Sequence, residues 1–225
     1  MKTKYTGVYL PVFLILFSGS LSFGQMQDHH ETSASRVVWH FVARSLVNTS
    51  NGTTNRQVVG YITDLDGVSG SLFHGPPSES TAYLTLRTDL FTLKPLPING
   101  NIPVSVPGPD TLHLYFNPTP SNSWNDPDTF SSGQEIARFN RAANLFFSVG
   151  TTSFDIFSLD LLFSQDFTIN GQEVNLGKIV PHGVTNNNTG STISVGGPGN
   201  TLAFPFVATG IAIGTDEASG REKRQ

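Results

Sequence analysis

The residues in this chain that are equipped for chemistry are scattered along it. Asp64-Leu65-Asp66-Gly67 sets two carboxylates two positions apart ahead of a glycine turn, and Asn125-Asp126-Pro127-Asp128 brings three oxygen-bearing side chains into one turn. Hard oxygen donors at such spacing suit calcium, although the later acidic positions of an EF-type loop are missing. Calcium, on Asp64 and Asp66 or in the 125–128 turn, is therefore the only cofactor the sequence suggests. The same residues also serve ordinary turns, because Asp and Asn side chains accept hydrogen bonds from their own backbone.

Trp124 is a large ring in a loop of Pro, Asn, Ser and Asp. Such a ring either packs back on the protein or offers its face to a ligand, and the C–H face of a sugar stacks on aromatic rings while its hydroxyls seek polar groups. Trp124 with Asp126 and Asp128 is thus a candidate carbohydrate platform. His113 and Tyr115 alternate with Leu112, Leu114 and Phe116, so the two share the less apolar face of one strand. They extend the candidate binding surface. Asp160 stands in an otherwise apolar run, where a carboxylate needs a partner such as Arg138 or Arg87, or else takes up a proton. A cavity near His113, Tyr115 and Asp160 is the alternative site, in a small barrel enzyme or ligand carrier. The other acids expected on strands are Asp89, Glu135, Asp155 and Glu173.

Several chemistries are excluded or disfavoured. There is no Gly-x-Ser-x-Gly elbow, no Cys for a thiol nucleophile or zinc thiolate, and no glycine-rich phosphate loop. His29-His30-Glu31 falls in a polar stretch with nothing to hold a closed geometry, and His40, His74, His113 and His182 lack the spacing of a shared ligand element. A net charge of −4 gives no field to gather nucleic acid. The reading is a non-catalytic binding or surface-associated protein, with carbohydrate or another cell-surface ligand as first partner. A structural envelope protein is a further alternative.

The elements that must position these residues read as strands. Charged residues make up 13% of the 225, about half the usual share, while 17 Phe, 22 Gly and 14 Pro favour short buried strands with turns between them. Lys2 and Lys4 precede an apolar run over residues 8–17 and a stretch of small residues, which is the pattern of a cleaved secretory signal over 1–24. That run is too short to span a bilayer, so no membrane span is expected after cleavage. A flexible polar segment follows over 25–35, then an all-β domain over 36–214, then a polar tail over 215–225.

Within the domain, strands are expected at 37–47, 57–64, 69–73, 82–91, 111–116, 135–139, 145–149, 154–163, 166–169, 173–176 and 202–213. Residues 154–163 are apolar on both faces, which predicts a central strand covered on both sides. Asn170-Gly171 predicts a tight hairpin turn. The stretch 133–144 permits a short helix or a strand, and 185–200, rich in Asn, Gly, Ser and Thr, reads as a mobile loop. The fold class is a single β-sandwich or closed β-barrel of about eight to ten mostly antiparallel strands. Pairing of the first strand with the last would close the sheet and protect its edges.

Overall fold

The structure, a computed structural model, describes residues 35–50, 53–95 and 104–212, so the expected signal over 1–24 and tail over 215–225 lie outside the described residues. Twelve strands follow one another: β1 (Arg36–Ser50), β2 (Thr53–Leu65), β3 (Leu84–Thr88), β4 (Leu93–Pro95), β5 (Val104–Pro107), β6 (Thr111–Phe116), β7 (Gln134–Val149), β8 (Thr152–Ser164), β9 (Phe167–Ile169), β10 (Gln172–Val174), β11 (Val184–Ser191) and β12 (Leu202–Ala212). One helical turn, α1 (Leu176–Ile179), precedes β11. Eight strands in the order β7-β6-β3-β2-β1-β12-β11-β8 form an antiparallel sheet that closes on itself through β7–β8 pairing. Closure removes the free edges of an open sheet. The first and last strands pair as expected, from Arg36 opposite Ala212 to Val47 opposite Leu202.

Strand alternation explains which side chains fill the barrel. From β1 the side chains of Trp39, Phe41 and Ala43 are buried, and from β12 Ala208 and Ala212. Small residues on β12 make room for large ones on β1. A Cβ at Gly210 would collide with the Trp39 indole, which therefore lies flat on the β12 backbone. Trp39 also meets Phe139 edge-on, ring centroids 5.7 Å apart.

The lower end of the barrel is sealed by residues 165–183. Phe167, Ile169, Val174, Leu176 and Val180 join the same buried cluster as Trp39, Ile62, Leu84, Leu114 and Phe139. This segment reaches across the end: Phe167 packs on Phe116 of β6, and the Ile179 carbonyl accepts from the Arg36 guanidinium of β1 at 2.8 Å. Its hairpin turns at Asn170 (φ 53) and Gly171 (φ 76), the positive φ values expected of Asn-Gly. The Asn170 amide then donates to the Ser69 and Ser71 carbonyls, both at 2.9 Å. At the upper end β7 and β8 turn into one another, and β5 continues the pairing of β7 beyond β6.

Three sequence expectations are corrected, and one that stood between two readings is decided. Residues 69–73 form no strand beyond a bridge from Phe73 to Ala82. The stretch 133–144 is strand, the first part of a sixteen-residue β7, because its alternate side chains Ala137 and Phe139 have a lumen to fill. All of 185–191 lies in β11, which pairs with β8 on one side and β12 on the other. The outer face of β8 is not covered among the described residues: Ile156 and Leu162 are 46% and 59% exposed. An apolar outer face reads in sequence like a buried one.

Candidate functional site

Above the packed lower half, the lumen holds a cavity of about 250 Å³. All eight barrel strands line it, through Phe41, Val58, Leu86, Leu112, Phe146, Asp155, Asn188 and Phe206 among others. Six Phe rings contribute, and between them stand Ser45, Arg56, Thr88, Arg141, Ser148, Ser153, Asp155 and Asn188. The cavity is therefore apolar in body and charged in places. That is the usual composition of a small-ligand pocket.

A bulge places its central charge. The β7–β8 register shifts between Arg141 and Ala143, so Arg141 faces the lumen before the shift and Phe146 and Ser148 face it after. The Arg141 side chain is almost wholly buried. Its Nε lies 2.8 Å from Asp110 Oδ1 without the alignment of a full hydrogen bond, and its guanidinium lies 4.7 Å from the Phe91 ring centre and 5.0 Å from that of Phe157. Cation–π contact of this kind holds a guanidinium where water does not.

Asp155 projects from β8 into the same space. Burial pushes its pKa up to about 6, against the opposing pull of Arg141. Asn188 Nδ2 donates to its Oδ2 at 3.4 Å, whereas its Oδ1 has no partner among the described residues. Asn144 stands near enough to lower the Asp155 pKa, yet neither of its own amide atoms makes an aligned hydrogen bond. Asp110 is likewise raised to about 6 by burial, with Arg141 opposing. Arg56 enters from β2, its guanidinium 5.8 Å from the Phe146 ring centre, and burial lowers its pKa. Among the described residues Arg56 makes no ion pair and no side-chain hydrogen bond. Deeper in, Asn186 Oδ1 accepts from Trp39 Nε1 at 2.9 Å and marks the floor of the polar zone.

The residues singled out from sequence lie elsewhere. Trp124 packs on the outside of the barrel against Phe130 (4.8 Å) and Tyr61 (6.0 Å), beside a small cluster of Leu46, Val59, Phe130 and Ala203. The Arg44 guanidinium lies over its ring at 4.3 Å, on a face that a sugar would need. Asp126 Oδ1 accepts from the Asp128 amide and caps the 3-10 turn Pro127–Ser131, while Asp128 pairs with Arg87 at 2.7 Å. Both carboxylates thus hold the loop.

His113 and Tyr115 sit on the outer face of β6, stacked with centroids 6.3 Å apart, and do not line the cavity. Cross-strand register sets His113 beside Arg87 and Arg138, and an ionic network results. His113 Nδ1 meets Glu135 at 2.6 Å, Nε2 lies 3.5 Å from Asp89, and Glu135 is bound by Arg138 at 2.7 Å. Asp160 is exposed and faces away from the cavity, and the arginines expected to pair with it, Arg138 and Arg87, are taken by Glu135 and Asp128. The cavity expected near His113, Tyr115 and Asp160 is instead inside the barrel, one strand face away.

Asp66 pairs with Arg36 at 3.2 Å, and Asp64 is an exposed residue of β2 opposite His40. No group of three or more His, Asp or Glu side chains converges for a metal ion among the described residues. The lumen residues Arg56, Asp110, Arg141, Asn144, Asn186 and Asn188 were not singled out from sequence, and Asp155 was noted only as a strand acid. The available signal was Asp155 itself, set between Phe154 and Ile156-Phe157. Comparison with family models, with curated proteins and with solved structures found no match for this chain.

Proposed function

We propose that this protein is an exported, non-catalytic ligand-binding barrel that takes a small, largely apolar molecule into the upper lumen. The observation that carries the reading is the cavity of about 250 Å³ lined by all eight strands, with a buried Asp155 oxygen left without a partner. Buried polar atoms are nearly always satisfied by protein, water or ligand. An apolar cavity of about 150 Å³ accommodates benzene, so this lumen has room for a molecule of one to two rings. Export rests on the signal pattern in residues 1–24. A carbohydrate platform has less support, since Arg44 lies over the Trp124 ring and Asp126 and Asp128 serve their own loop.

The test is thermal melting of the chain from residue 25 onward against soluble polysaccharides and against one- and two-ring apolar compounds. Ligands that bind only the folded state raise the midpoint. The barrel reading expects a rise with ring compounds that is lost in Ser45→Phe, which fills the lumen from β1. A rise with a polysaccharide alone, or none at all, refutes it.

A further inference from the structure

The two arginines of the lumen are unequally partnered. Two guanidinium groups, Arg56 and Arg141, line one cavity, and the single carboxyl on its lining is that of Asp155. Asp110 holds the Nε side of Arg141, and no Nη atom of that residue has a hydrogen-bond partner among the described residues. Arg56 has no anionic partner within 4 Å among them. A half-buried guanidinium with no protein acceptor keeps its donors for water or a ligand. Arginine presents paired donors in a plane that matches a carboxylate.

We propose that the upper lumen is a carboxylate pocket. It binds a small organic acid with a one- or two-ring body, the carboxylate held by Arg56 with Arg141 and the body against the Phe41, Phe146 and Phe206 rings. This rests on the barrel being a ligand binder. A cationic ligand is disfavoured by the two arginines, and Asp155, already taking the Asn188 amide on one oxygen, has its other oxygen left to share a proton with a bound acid.

The probes are 2-naphthoate and its neutral isostere 2-naphthamide, titrated by calorimetry into the same chain. One charge-assisted hydrogen-bond pair is worth about tenfold to a hundredfold in affinity, so the acid is expected to bind tighter by that factor. Arg56→Met should bring the two ligands to parity while the amide still binds, Arg56→Lys should keep part of the preference, and Ser45→Phe should abolish both. Circular dichroism checks each variant's fold, and the comparison in the unmodified chain stands without any of them. Equal binding of acid and amide there overturns the carboxylate pocket but leaves the ligand-binding barrel intact. Binding of neither overturns both. A preference that survives Arg56→Met in a folded protein overturns the role of Arg56.

Discussion

Asp155 makes the stability of this barrel run against the usual pH trend. Its pKa rises from 3.8 to about 6 in the folded chain, chiefly because burial disfavours the charged form. A folded state that holds a proton more tightly than the unfolded one is most stable where both are protonated. The contribution is therefore neutral below pH 3.8, turns unfavourable as pH rises through the interval, and is fully unfavourable above about 6. A shift of this size corresponds to roughly 3 kcal/mol at neutral pH. Asp110 moves in the same direction for the same first cause. Glu135 has its pKa lowered from 4.5, first by its hydrogen bond from Arg138, so it acts in the opposite sense, losing its contribution as pH falls below that value.

The perturbation is Asp155→Asn, which keeps the shape and removes the charge. Urea unfolding followed by Trp fluorescence at steps from pH 4 to 7.5 reads out the slope. The parent should lose stability across that range, and the variant should lose less. At pH 7.5 the variant should be more stable than the parent by up to about 3 kcal/mol. A variant less stable than the parent at pH 7.5, with an unchanged slope, would mean that attraction to Arg141 and Arg56 outweighs the burial cost. Burial would then not be what dominates at Asp155.

Trp124→Ala should lower the unfolding free energy by about 1–3 kcal/mol, less than a fully buried Trp, because its ring is half-buried against Phe130 and Tyr61. A melt within a degree of the parent would return that ring to ligand recognition. Gly210→Ala drives a Cβ into the Trp39 indole and should cost about 1–3 kcal/mol by overpacking, with a shift in the buried Trp fluorescence; an unchanged melt would count against the close approach. Asn186→Leu leaves the buried Trp39 Nε1 without its acceptor and should cost about 1–3 kcal/mol in the same urea assay. Indifference at that position would mean that the indole finds another acceptor.

Local chemistry in the sequence was enough for the all-β class and for the Asn170-Gly171 hairpin. Each follows from alternation and turn geometry over a few residues, which neighbours in sequence determine. The polar strand β11 was hidden because Asn186 and Asn188 read as loop. They are strand residues only because the lumen supplies Trp39 and Asp155 for their amides to meet.

The site was decided by closure. Alternation put His113 and Tyr115 together on one face of β6 but could not say that this face is the outside of a barrel. It also could not place Arg56, Arg141 and Asp155 in one cavity, since they come from three strands and Arg141 and Phe146 share the lumen only through a bulge in β7. Which side of a sheet becomes the interior depends on pairings between residues more than a hundred positions apart, such as Val47 with Leu202. A pattern of period two carries no information about that choice until the last strand closes on the first.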